Sequence, residues 1–225
     1  MTAVRVPRHL LRDTVAHLPG AAINETAVPS YTHTNPFIRR LFWQRLDTAL
    51  GLAQIRPADR VLDFGTGSGI LLPTLQDRAG SVTATDLDVT PAQTLARVMN
   101  LSVSILPSAE FDTWEQSHAA GVDLIFALDV FEHLSQSELP VLSRRLCALM
   151  ADGGRMIVSG PTESLMYRFG RFIAGFRNVY HYRNIFDIDA QLQHDWETQD
   201  ARVLPRLPQA FVITRYRPRR AGAVR

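Results

Sequence analysis

The chain contains no lysine: all 24 of its basic residues are arginine. Schiff-base chemistry and lysine nucleophiles are therefore excluded. It contains one cysteine, Cys147. That rules out an intramolecular disulfide and a cysteine-based zinc site, and it makes a reducing cytoplasm the natural compartment. No apolar run reaches the ~18 residues that a membrane-spanning helix requires. The first residues, MTAVRVPRHLLRD, break their apolar positions with arginine, so they lack the core of a secretory signal. There is no internal repeat and no low-complexity tract. What remains is 225 residues, 46% apolar and 20% charged, with a formal net charge of +2. That suits one soluble globular domain with a sizeable core.

One stretch organises the chain. Residues 61–70, VLDFGTGSGI, run from apolar Val61 and Leu62 through Asp63 into Gly65, Gly67 and Gly69, then return to apolar Ile70. The pattern predicts a strand that ends in a glycine-rich turn and feeds a helix. Such a turn needs residues free to take positive φ, and the helix after it aims its N–H groups at whatever sits there. The spacing is G-x-G-x-G rather than the G-x-G-x-x-G of a pyrophosphate cradle, and an acid precedes it. Asp63 would repel a phosphate but suits a ligand carrying a cationic amine. A second acid, Asp86, ends the next apolar run 17 residues past Gly69. An acid there can accept both hydroxyls of a ribose.

Asp63-x-Gly65-x-Gly67-x-Gly69 followed by Asp86 resembles motifs I and II of the class I S-adenosylmethionine-dependent methyltransferases. Residues 122–134, VDLIFALDVFEHL, resemble their fourth strand and its continuation, and residues 153–159, GGRMIVS, the turn and fifth strand. The match spans roughly residues 59–159, in the right order. It implies an α/β fold, a doubly wound, mostly parallel seven-stranded sheet with helices on both faces. It further implies S-adenosylmethionine as cofactor, S-adenosylhomocysteine as product, and cofactor-binding roles for Asp63, Gly65, Thr66, Gly67, Gly69, Asp86, Leu87 and Asp129.

The whole chain reads as a single domain: an N-terminal helical cap over 1–55, a cofactor-binding core over 56–160, a lid or acceptor-side insertion over 161–200, and C-terminal strands with a basic tail over 201–225. Residues 1–35 read as irregular to weakly helical. A helix should start at Asn35-Pro36, with Phe37, Leu41, Phe42, Arg45, Leu46 and Leu50 at helical spacing. It either delivers residues 31–33 toward the cofactor mouth or is preceded by a plain connecting loop. Helices are expected over 70–77, 91–99 and 140–150. Strands are expected over 81–85, 102–106, 122–128 and 155–159, near 201–204, and over 211–216. Residues 110–112 read as an adenine contact or a solvated loop. Leu165, Phe169, Phe172, Ile173 and Phe176 share a helical face, with Arg168, Arg171 and Arg177 elsewhere. That helix is a lid over the acceptor pocket or a peripheral membrane contact through 162–177.

His133 follows the fourth strand, so it is the candidate general base or acceptor-positioning group. The alternative is that Glu132 and His133 cap the next helix. His181, in the expected lid, is the second catalytic candidate. The D/N-P-P-[YF] motif of nucleic-acid amino-methyltransferases is replaced here by ALDVFEHL, so no nucleic-acid partner is expected. Asp129 alone does not make the acid cluster of a metal-dependent enzyme, so no metal is expected. Two functions stand. The first is methyl transfer to the oxygen or carbon of a small aromatic, isoprenoid or lipid-like acceptor. The second is a regulatory or scaffolding protein that binds the cofactor without transferring its methyl.

Overall fold

Five apolar segments build the parallel part of a sheet: β1 (Arg60–Phe64), β2 (Ser81–Asp86), β3 (Ser104–Pro107), β4 (Val122–Leu128) and β5 (Met150–Pro161). In β4, Leu124, Ile125, Phe126 and Ala127 are all fully buried, as a continuous apolar run must be in a sheet covered on both faces. Two more strands, β6 (Trp196–Leu204) and β7 (Phe211–Pro218), form an antiparallel pair, and β7 inserts beside β5. The order is β3-β2-β1-β4-β5-β7-β6, with β7 the one reversed strand. The computed structural model describes residues 1–23, 26–162, 184–205 and 210–219.

Alternate side chains along the strands enter separate cores, because successive residues of a strand point to opposite faces. Val61, Leu124, Phe126, Ile157 and Ile213 pack under α4 (Pro36–Ala53), α5 (Leu72–Gln76) and α6 (Thr90–Val98). Leu62, Ile125, Ala127, Met156 and Val158 pack under α7 (Ser108–Ser117), α8 (Glu138–Leu149) and a helix we label α9 (Ile185–Leu192). The result is the doubly wound α/β sheet that the strand and helix pattern implies.

The helix α4 is fixed at both ends. Asn35 Oδ1 accepts from the Phe37 N–H at 2.9 Å, with Pro36 in the first turn. At the far end Arg155 of β5 donates to the carbonyls of Ala53 and Gln54 and pairs with buried Asp59 at 2.6 Å. A cation there answers the carbonyls that a helix leaves open.

The structure corrects several expected elements. Residues 1–35 contain three short helices, α1 (Arg8–Thr14), α2 (Gly20–Ile23) and α3 (Val28–Thr32). Residues 110–112 lie within α7 and are not a loop. The helix expected over 70–77 is only Leu72–Gln76, because Gly69 and the residues after it first form a turn. β6 begins at Trp196, well before residue 201. The expected lid or membrane helix, His181 and the end of the basic tail lie outside the described residues. Among the described residues, no helix is long and apolar enough to cross a membrane.

Candidate active site

Because β1, β2 and β4 are parallel neighbours, they deliver Asp63, Asp86 and Asp129 to one edge of the sheet, the carboxyl edge. Ligands of such sheets bind at that edge. The glycine turn is tied to it: the N–H groups of Gly65 and Thr66 donate to the Thr85 carbonyl at 2.9 and 3.1 Å. Gly65 is needed because Val130, after β4, closes over it; an added Cβ would lie 2.2 Å from the Val130 Cγ2. Gly67 is the opposite case. It has φ +54° and nothing within 4 Å of its absent Cβ, so its backbone faces open space. Gly69 donates to the Thr66 carbonyl and backs onto Ala92 of α6.

The carboxylates differ in environment. Asp63 is 3% exposed and accepts from the Thr66 hydroxyl at 2.7 Å. Burial pushes its pKa up to about 7; the Thr66 hydrogen bond opposes this, and the charge of Asp86 adds to it. Asp86 accepts from the N–H groups of Gly67 and Leu87, both at 2.7 Å. Burial raises it too, against those hydrogen bonds. Leu87 is 90% exposed beside it.

Asp129 sits at φ +57°, a conformation that costs a side-chain-bearing residue energy and must be held in place. Its N–H donates to the Ser159 carbonyl at 3.0 Å, and the Ser159 hydroxyl donates to its Oδ1 at 2.9 Å. Its other oxygen forms an ion pair with Arg45 of α4. Arg45 also donates to the Tyr31 hydroxyl at 3.0 Å. The N-terminal helices thus reach the cleft through Tyr31, which is buried in α3 rather than lying in a connecting loop. Neither Arg45 nor Ser159 is singled out as a site residue by its sequence context. The usable signal was an arginine on the apolar stripe of α4.

His133 is exposed on the single 3-10 turn Phe131–His133 that follows β4. The start of α8 is held by reciprocal bonds between Ser135 and Glu138. The adenine candidates separate. Phe111 is buried edge-on against Phe64, and Asp112 is ion-paired with Arg145. Among the described residues, no three His, Cys, Asp or Glu side chains converge to hold a metal ion.

A family model described as a methyltransferase domain matches residues 32–208. The chain belongs to that methyltransferase family. The PH0226 protein of Pyrococcus horikoshii OT3 superposes with a TM-score of 0.67 at 16% identity, over 85% of this chain and 96% of that one. The N-methyltransferase NodS of Bradyrhizobium japonicum WM9, in complex with S-adenosyl-l-homocysteine, gives 0.66 at 15% identity, over 92% and 99%. The magnesium protoporphyrin IX methyltransferase ChlM of Synechocystis PCC 6803, with the same product bound, gives 0.65 at 19% identity, over 95% and 100%. At these identities the structures establish a common fold. No curated protein sequence matches.

The enzyme is thus a methyltransferase of class I architecture, for which S-adenosylmethionine is the methyl donor, and the residues present fit that donor. The backbone at Gly67 is uncovered, Asp86 offers carboxylate oxygens at the end of β2, and Asp63 offers a carboxyl group beside the turn.

Proposed function

We propose that this enzyme methylates the oxygen or carbon of a small acceptor of aromatic, isoprenoid or lipid-like character. The observation that carries the reading is the convergence of Asp63, Asp86 and Asp129 around an open glycine turn. In this reading Asp63 takes the ammonium of the donor and Asp86 takes the ribose hydroxyls. Gly65, Thr66, Gly67 and Gly69 form the wall of the turn, Leu87 supports the adenine, and Asp129 lies at the methionine end. Bound S-adenosylmethionine supplies a methyl group on a cationic sulfur that leaves as a neutral thioether. The protein has to align the acceptor and take its proton. Alignment alone lowers barriers by about 7–11 kcal/mol. His133, on the turn after β4, is the base or positions the acceptor, and His181 is the second candidate.

The acceptor class is supported by the apolar spacing of Leu165, Phe169, Phe172 and Ile173 and by the porphyrin acceptor named for the ChlM structure. Residues 161–200 form its side of the site in this reading, between the core over 56–160 and the C-terminal strands, with 1–55 as the cap. The sequence ALDVFEHL after β4 weighs against a nucleic-acid acceptor, and the lone free thiol of Cys147 suits the cytoplasm.

Mass spectrometry of an acceptor library incubated with enzyme and S-adenosylmethionine tests this directly. His133→Ala should leave donor affinity within about threefold and melting little changed, while kcat falls by ~10²–10⁴. Unimpaired turnover in that variant moves proton transfer away from His133. Donor binding with no S-adenosylhomocysteine formed from any acceptor identifies a regulatory protein instead.

A further inference from the structure

Arg215 of β7 is a cation that the protein does not fully answer. Its side chain turns under the last turns of α4, where Nη1 donates to the Leu52 carbonyl at 3.3 Å and to Oε1 of Gln54 at 2.9 Å. Its Nε–H is buried with no hydrogen-bond partner among the described residues. Asp200, whose charge acts on it, is itself paired with Arg202 at 2.7 Å. Burial, with the charges of Arg155 and Arg56 added, pulls the Arg215 guanidinium below its ordinary pKa. This cation borders a cavity of about 280 Å³ between α4 and the two last strands, lined also by Gly51, Leu52, Gln54, Asp200 and Arg202. Small-molecule sites begin at ~300 Å³, so the space suits a compact ligand. It is not the donor site. Arg215 pairs with Ile157, four residues short of Pro161 at the carboxyl end of β5. At ~3.3 Å per residue that is ~13 Å down the strand.

A glycine keeps the cavity open. Gly51 lies inside α4, two residues before its end, although glycine weakens a helix. Its φ is not positive, and nothing lies within 4 Å of its absent Cβ. Neither the backbone nor the packing therefore requires it; what its missing side chain leaves is room in the cavity. The surrounding charges say what that room suits. Arg155 is answered by Asp59 and Arg202 by Asp200. Arg215 and Arg56 remain, with no acid of their own among the described residues. Open carbonyls at a helix end repel anions, but those of Leu52, Ala53 and Gln54 already accept from Arg215 and Arg155. A guanidinium fork matches the oxygens of a phosphate, and a dianion matches the two open charges.

We propose that this cavity is a second ligand site, in which Arg215, with Arg202 beside it, holds a phosphate dianion, either the free ion or the end of a small phosphomonoester. The site is independent of the donor and of the acceptor.

Calorimetry on the full chain tests it, with inorganic phosphate, methyl phosphate and dimethyl phosphate as probes at constant ionic strength and pH ~8, where a phosphate monoester is doubly charged. Wild type should bind one inorganic phosphate per chain. Methyl phosphate binding as tightly identifies a monoester end, and its exclusion identifies the free ion. Dimethyl phosphate, a monoanion, should bind about tenfold more weakly or not at all. Arg215→Gln should weaken phosphate binding by about 10- to 100-fold, the usual span for losing a charge-assisted hydrogen bond. Gly51→Leu should melt no lower than wild type and bind S-adenosylhomocysteine unchanged, yet lose phosphate, because its side chain occupies the cavity. Arg215→Gln also loses its bonds to the end of α4; if it does not fold, Gly51→Leu decides. The proposal is overturned if wild type binds phosphate no better than chloride, if folded Gly51→Leu retains phosphate, or if phosphate competes with S-adenosylhomocysteine.

Discussion

The Cβ that a valine at position 67 would add meets no protein atom within 4 Å. The valine would pay for its φ of +54°, on the order of 1–2 kcal/mol. Gly67→Val should therefore remain folded by circular dichroism yet lose donor binding, because the space it fills is the ligand's. Retained affinity in the folded variant would show that the turn does not touch the donor. Asp63 makes a second residue-level prediction. Its pKa is 3.8 when free and about 7 in the fold, so between those values the folded state holds a proton that the unfolded chain has lost. Its contribution to stability is fully present below the free value and disappears as pH rises through about 7. A cationic ammonium needs the ionised form. Affinity for S-adenosylhomocysteine should therefore tighten by up to about tenfold per pH unit up to pH ~7, with proton release on binding. Asp63→Asn should flatten that profile. Both residues are legible in the sequence, because the acid and the glycines sit within one turn of chain. Arg45 is not. An arginine on an apolar stripe reads equally as a long side chain snorkelling to water, and its partner Asp129 is brought to it only by the tertiary fold.

Among the elements, α4 is the strut that joins the N-terminal helices to the sheet. Arg155 holds its C-terminal end and also neutralises buried Asp59. Arg155→Met should cost about 3–5 kcal/mol in urea denaturation, because it leaves Asp59 buried and uncompensated. The double variant Arg155→Met/Asp59→Asn should recover part of the loss; no recovery would locate the cost in the freed helix end instead. The helix α4 was legible from its proline start and its spacing, and β4 from its unbroken apolar run. The helices α1 to α3 were not, since helices of four to seven residues are held by packing rather than by periodicity. In α7 only Phe111 is buried, too little stripe to announce a helix. The residues between Trp196 and Val203 in β6 are mostly polar and part-exposed, which hid the start of that strand.

At the scale of the whole molecule, the doubly wound sheet sends three acids from distant parts of the chain to one edge, while the helices of one face supply the arginine that meets the third. The sheet also imposes an order on its own completion. Met156 to Pro161 of β5 pair with Phe211 to Tyr216 of β7, whereas β6, which precedes β7 in the chain, lies outside it. As the polypeptide leaves the ribosome, β6 is made with no strand to join. The backbone of β5 stays an open edge until residues 211–218 follow. Such an edge is a template for a neighbouring nascent chain. Strands β1 to β5 are therefore synthesised early and their sheet is sealed late. Anything that delays those two strands, such as a slow codon cluster before them, lengthens the interval in which polysomes can cross-pair.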